Sequence, residues 1–179
     1  MADVLDLLRA QHARIEELFG EVMHASGPAR QERFDDLVRL LAVHETAEEE
    51  VVHPRGRGSG GVGDPVIDAR LAEEQDAKRQ LAQLADLGTD HPGFHDQLLA
   101  LRTAVLMHAK REERYEFPYL ERNLDPQERE RMGTALLTAE RFAPTRPHPG
   151  VESAVGNVLA GPPLAVVDRV RDAIRDAMR

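Results

Sequence analysis

Apolar residues recur every three or four positions through most of the chain, the spacing that lines up one face of an α-helix. In the first such stretch Val4, Leu5, Leu8, Ile15, Leu18, Phe19 and Val22 share a face, and His12 lies on the same inward stripe. Gly27-Pro28 reads as the end of this helix. A second helix is predicted over 29–53, its stripe of Phe34, Leu37, Val38 and Leu41 continuing into His44 and Glu48. An ionisable Glu among apolar positions is costly to bury without a partner. The glycine-rich run 54–63 breaks the periodicity as a flexible connector; it lacks the Gly-Lys-Ser/Thr ending and the preceding strand of a phosphate loop.

A third helix is predicted over 64–87, with Pro65 suited to its first turn. A turn at Gly88-Thr89-Asp90-His91-Pro92 leads to a fourth, running through Phe94, Leu98, Leu101, Val105, His108 and Glu112 to Glu121. Asp125-Pro126-Gln127-Glu128 is a strong start for a fifth, ending near Phe142. The organisation expected is all-α: an up-down four-helix bundle over 1–122, an additional helix over 123–143, a Pro/Gly-rich linker over 144–161, and an amphipathic C-terminal helix over 162–179. That last helix either packs back on the bundle or pairs with a second copy of the chain as a homo-oligomer.

One stretch occurs twice. His44-Glu45-Thr46-Ala47-Glu48-Glu49 is followed by Pro54, and His108-Ala109-Lys110-Arg111-Glu112-Glu113 by Pro118, so both copies read H-x-x-x-E-E-x-x-x-x-P. Four residues of α-helix turn by about 400°, so His and Glu at i and i+4 project about 40° apart and can close on one ion. Two such helices facing across a bundle core could hold two ions between bridging carboxylates. The repeat extends backward: His12 precedes the first motif by nearly the interval at which Gln75 precedes the second. Each half then offers a single ligand position on one helix and a His/Glu pair on the next, with Gln75 where symmetry expects His. A lone H-x-x-x-E in so Glu-rich a chain is more often a solvated pair; the duplication is what argues for a site.

The other histidines have blander readings. Glu21/His24 and Glu50/His53 have the Glu-x-x-His spacing of ferritin-like bundles, which would also need a Glu from each of two further helices. His53 lies nine residues past His44, about 180° round an unbroken helix, and so is placed away from the site. His24 and His53 are read as helix-end residues suited to the dipole, and His91, His95 and His148 as groups in or beside turns. Glu16 is a further candidate carboxylate, at i+4 from His12. Glu45, Glu49, Glu113 and Glu116 are read as exposed or as outer partners that orient ligating imidazoles. Tyr115 is a candidate neighbour of a metal.

Composition narrows the function classes. The chain has no cysteine, which excludes disulfides, zinc fingers, iron–sulfur clusters and thiol chemistry. A net charge of -9 without a basic cluster disfavours nucleic acid and suits a protein that attracts cations. The acidic, amphipathic start at Met1–Asp6 has the pattern of neither a signal peptide nor a membrane span, so the expected compartment is the cytoplasm.

Over roughly residues 1–122 these features resemble the hemerythrin-like proteins of the HHE cation-binding domain family, four-helix bundles that hold a non-haem di-iron centre. The resemblance rests on His12, His44 with Glu48, and His108 with Glu112. It implies His12, His44 and His108 as terminal imidazole ligands and Glu48 and Glu112 as bridges between two irons. It further implies reversible or redox interaction of the iron with dioxygen, nitric oxide or peroxide, in sensing, iron binding or peroxide handling. The family places a further His where this chain has Gln75. The carboxamide is a weaker donor, leaving three alternatives: two irons with one loose position, a single metal, or a decayed site. The competing function is a metal-free helical interaction module with a vestigial site and a tail helix that mediates association.

Overall fold

The computed structural model describes residues 2–57 and 64–142, together with 171, 172, 174 and 176. Helix α1 spans Val4–His24, opened by Asp3, whose carboxylate accepts from the Leu5 N–H at 2.9 Å. Helix α2, Gly27–Ala47, starts at the Gly27-Pro28 pair expected to close α1; proline, with φ already near the helical value and no N–H to leave unpaired, fits that first turn. Helix α3 is the short His53–Gly56 segment. Helix α4, Asp64–Leu87, ends at Gly88, whose φ of 82° lets its N–H cap the Leu84 carbonyl at 3.2 Å. Helices α5, Phe94–Arg111, α6, Phe117–Asn123, and α7, Pro126–Phe142, complete the described order.

The two long helices expected over 29–53 and 94–121 are each interrupted, at the same place in the repeat. Between α2 and α3, Glu48–Val52 forms a π-helical turn, closed by the His53 N–H donating to the Glu48 carbonyl. Between α5 and α6, Glu112–Glu116 does the same, with the Phe117 N–H donating to the Glu112 carbonyl. Each turn begins on the motif Glu and ends two residues before the motif proline. Pro54 and Pro118 have no N–H to give and their rings crowd the carbonyl four residues back, so the preceding turn widens by one residue.

Helix α1 packs against α2 and α5, α4 against α5, and α7 lies across α1 and α2. The helices form an all-α bundle. At the α1–α7 crossing Gly133 is required: a Cβ there would sit 2.1 Å from the Ala2 carbonyl oxygen. Arg129 of α7 clamps the same corner with its Nε 2.7 Å from Asp3 Oδ2.

The apolar core comes in two pieces. One gathers Val4, Leu5, Leu8, Val51, Val52, Phe117, Leu120, Met132 and Leu136, and the other Ile15, Phe19, Phe34, Leu37, Leu84, Phe94, Leu98 and Leu101. Each large side chain removed from water contributes about 1.5–3 kcal/mol, so the two clusters hold the helices to either side of the layer between them. On α1 that layer falls at Gln11 and His12, between Leu8 and Ile15. The linker expected over 144–161 lies outside the described residues, as does most of the tail. Of the tail, Ile174 is buried in the first cluster and Arg171 pairs with Glu50 on the first π-turn, so this part packs back on the bundle. No helix among the described residues is long and apolar enough to cross a membrane.

Candidate metal centre

Between the two apolar clusters, four helices and the two π-turns converge on a layer of imidazoles and carboxylates. The i, i+4 pairs close as their spacing requires, His44 Nε2 lying 3.3 Å from Glu48 Oε1 and His108 Nε2 3.3 Å from Glu112 Oε1. From α1, His12 Nε2 reaches 3.2 Å from His44 Nε2 and 3.4 Å from Glu112 Oε2. From α4, Glu74 Oε1 lies 3.9 Å from His108 Nε2. Two four-donor groups result, His12/His44/Glu48/Glu112 and Glu48/Glu74/His108/Glu112, with the donor atoms of each within 4.8 Å of one another. Glu48 and Glu112 belong to both, so each carboxylate could serve either group.

The outer contacts aim these donors inward. His12 Nδ1 lies 2.7 Å from Glu113 Oε1, His44 Nδ1 2.8 Å from Gln11 Oε1, and His108 Nδ1 3.1 Å from Glu73 Oε2. With Nδ1–H donating outward, each ring presents the Nε2 lone pair to the cluster, the pattern of metal-ligating histidines. Gln11 is held in turn by Glu140 at 2.6 Å, and Glu73 by Arg70 at 3.1 Å and by Arg111. Phe117, which follows the second π-turn, stacks on the His12 ring at a centroid distance of 5.8 Å and fixes its plane.

The electrostatics are strained by protein groups alone. Glu48 and Glu112 are 0% exposed, and neither oxygen of either finds a hydrogen-bond donor. Burial, then the charge of Glu112, pushes the Glu48 carboxyl well above its ordinary range. Burial also opposes ionisation of Glu112, but the imidazoles of His108 at 3.3 Å and His12 at 3.4 Å outweigh it and hold that carboxyl well below the usual range. Burial and the neighbouring His12 imidazole lower His44 to about 3, keeping it neutral and ligand-ready. For His108 burial is outweighed by the Glu112 contact, which raises the imidazole to about 9. Buried carboxylate oxygens without hydrogen-bond donors, beside the neutral imidazole of His44, fit divalent metal ions, which would supply positive charge to them.

The structure brings His12, His44, Glu48, His108 and Glu112 together and leaves Gln75 out. Gln75 is exposed, and its neighbour Glu74, 2% exposed, faces the layer. The halves are therefore out of register by one residue at this position, and the second half supplies a carboxylate where the first supplies an imidazole. The buried stripe Ile67, Arg70, Glu74, Ala77 and Leu84 of α4 carries the helical period through Glu74, the signal that would have found it.

His53 is the second correction. It is 2% exposed, with Nε2 2.6 Å from Glu74 Oε1 and Nδ1 3.7 Å from Glu116 Oε2. The extra residue of the π-turn removes about 100° from the rotation expected of an unbroken helix, so His53 comes to lie about 40° from Glu48 instead of on the far side. Burial disfavours its charge, yet the flanking carboxylates Glu116 and Glu74 outweigh this and raise the imidazole to about 10. Glu116, which carries a second neighbour in Arg70 at 3.9 Å, is buried beside it.

The remaining candidates fall away from the layer or at its rim. Glu16 pairs with Arg102 on the surface at 2.9 Å, and Tyr115 is 55% exposed beside Arg114. Glu45 is buried instead of exposed and pairs with Lys78 at 3.4 Å; burial, partly offset by Lys78, raises its carboxyl to about 7. Glu49 takes the same lysine at 2.6 Å, and Glu113 is the outer partner of His12. His24 bonds the Gly20 carbonyl at 2.7 Å at its helix end, His91 and His95 are exposed, and His148 lies outside the described residues. A cavity of about 190 Å³ opens on the layer from one side, its walls including Ile15, Leu41, Ala77 and Val105 and its floor His12, His44, Glu74 and His108.

A family model described as the hemerythrin HHE cation binding domain matches residues 3–120. A Nostoc protein called a DNA nickase is 30% identical over 77% of this chain, which spans 39% of that protein's length. An uncharacterized hemerythrin-like protein of Schizosaccharomyces pombe is 25% identical over 96% of the chain and 86% of its own length. The crystal structure of a hemerythrin HHE cation binding domain-containing protein from Mycobacterium kansasii superposes with a TM-score of 0.73 over 94% of this chain and 99% of its own, at 22% identity, a likeness of fold.

Proposed function

This chain belongs to the hemerythrin HHE cation-binding domain family, and from that premise we propose that it is a non-haem iron protein whose two-ion centre interacts with dioxygen, nitric oxide or peroxide. The observation that carries the proposal is the pair of four-donor groups sharing Glu48 and Glu112. His12 and His44 would hold one ion and Glu74 and His108 the other, with Glu48 and Glu112 within reach of both. A mixed imidazole and carboxylate set suits iron. When bound, iron supplies one-electron redox chemistry and an exchangeable coordination position.

The chain's own residues set the conditions for that chemistry. Glu113, Gln11 and Glu73 accept at the Nδ1 side of His12, His44 and His108 and turn the inner nitrogens toward the cluster, where a bound ion would take the place of the proton on His108. Burial and the neighbouring Glu112 push the Glu48 carboxyl well above its ordinary range, and a bound divalent charge would favour its ionised form. Ile15, Leu41, Ala77 and Val105 make the approach apolar. At about 190 Å³ the cavity is smaller than the roughly 300–1,000 Å³ pockets that take drug-sized ligands, and it suits a diatomic or a peroxide. The net charge of -9 disfavours the phosphate contacts that the activity named for the Nostoc relative would need.

The test is to load the chain with Fe²⁺ under nitrogen and expose it separately to dioxygen, nitric oxide and hydrogen peroxide while recording the visible spectrum. A new absorption band with at least one of the three, absent in a His44→Ala/Glu48→Ala double variant, is the expected result. No change with any of them, or the same change in the double variant, would refute the proposal.

A further inference from the structure

The two ion positions share two carboxylates and differ in everything else. The first adds two imidazoles, His12 and His44; the second adds one imidazole, His108, and a third carboxylate, Glu74. One position is thus two nitrogens and two oxygens, the other one nitrogen and three oxygens. Their surroundings differ in the same sense. The His44 ring leans on the neutral amide of Gln11 at 2.8 Å. Glu74, by contrast, receives the His53 ring at 2.6 Å, with Glu116 and Arg70 packed behind it. Glu74 Oε2 is buried with no donor, an acceptor still to be satisfied after His53 has taken the other oxygen.

Donor type sorts divalent metals. Imidazole suits iron and zinc, whereas carboxylate oxygen suits harder ions such as Mn²⁺. Resting on the two-ion centre proposed above, we infer that the positions are chemically distinct and fill in order. The His12/His44 position fills first and retains iron, and the Glu74/His108 position fills second and accepts Mn²⁺ in place of iron. The chain therefore forms a mixed iron–manganese pair when both metals are present. The discriminating residue is Glu74, because it alone makes the second position oxygen-rich.

The experiment uses the full chain freed of metal by chelator. One equivalent of Fe²⁺ is added under nitrogen, then one of Mn²⁺, and after desalting both are counted by elemental analysis while Mn²⁺ is followed by electron paramagnetic resonance. The expected result is one iron and one manganese per chain, with the manganese signal altered by its paramagnetic neighbour. Glu74→Gln preserves size and an acceptor for His53; it should lower Mn²⁺ affinity by more than the roughly 10- to 100-fold typical of losing an outer partner, and leave the single iron in place. Glu74→His should reverse the preference, binding a second Fe²⁺ or Zn²⁺ more tightly and Mn²⁺ more weakly. Circular dichroism checks that each variant is folded. No manganese retained by a chain that, given two equivalents of Fe²⁺, binds two irons with one indistinguishable affinity would overturn the inference and leave the two-ion centre standing, as would Mn²⁺ binding unchanged in folded Glu74→Gln. No metal bound by the unmodified chain would bring down the two-ion centre itself.

Discussion

Glu48→Gln should change stability in opposite ways with and without metal. Glu48 is fully buried, neither of its oxygens has a hydrogen-bond donor, and burial and Glu112 push its carboxyl well above the ordinary range, toward the neutral form. An amide of the same shape replaces one buried, unsatisfied neutral group with another, each costing about 1–3 kcal/mol, so the metal-free variant should lie within about 1 kcal/mol of the parent. With iron the two should part, because Glu48 belongs to both four-donor groups of the proposed centre. Free metal at about 1,000 times Kd stabilises the parent by about 4 kcal/mol per site. A variant bound about 100-fold more weakly would keep only about 1.4 kcal/mol of that. For a chain of this length each kcal/mol moves Tm by about 2–4 °C, so the iron-dependent rise should shrink by roughly 5–10 °C per site. Thermal unfolding followed by circular dichroism under nitrogen, with chelator and with Fe²⁺, measures both arms. A variant that keeps the parent's full iron-dependent rise, or that loses more than about 3 kcal/mol without metal, would refute the reasoning.

Gln75→His should leave iron retention unchanged, since position 75 faces solvent; tighter retention in a chelator competition would put position 75 back in the site. Gly133→Ala forces a Cβ against the Ala2 carbonyl and should cost about 1–3 kcal/mol in urea unfolding, whereas a neutral result would mean that the start of α1 does not lie against α7. The metal-free protein should become less stable as pH rises from about 6.5 to about 10. The raised pKa of His53 contributes stability that is complete below its unfolded value and is lost through its folded one, at up to about 1.4 kcal/mol per pH unit for a single proton. Urea unfolding across that range should show the decline in the parent and a shallower one in His53→Gln; equal slopes would place the charge elsewhere.

Most of the bundle could be read from periodicity alone because burial and helical spacing agree over long stretches of α1, α4 and α5. The duplicated His/Glu pairs were legible for the same reason, since i and i+4 fall on one face whatever the tertiary context. Two features escaped. Aligning the halves by interval put Gln75 where Glu74 belongs, an error of one residue that turns a helical side chain by about 100°. His53 was dismissed by the arithmetic of an unbroken helix, although the duplicated prolines six residues past each motif Glu marked where both helices widen. The same widening in the second half delivers Phe117, which shows that the device is shared while the residue it presents differs. How the tail meets the bundle was not legible, since an amphipathic stripe does not name its partner; Ile174 settles it for the residues described.

The most direct test of a two-ion centre bridged by Glu48 and Glu112 is a crystal structure of the iron-loaded chain with anomalous data collected at the iron edge. Two peaks about 3.5–4 Å apart, each contacted by both glutamates, with His12 and His44 on one and Glu74 and His108 on the other, are the predicted result. A single peak, or none, between those two carboxylates would contradict it.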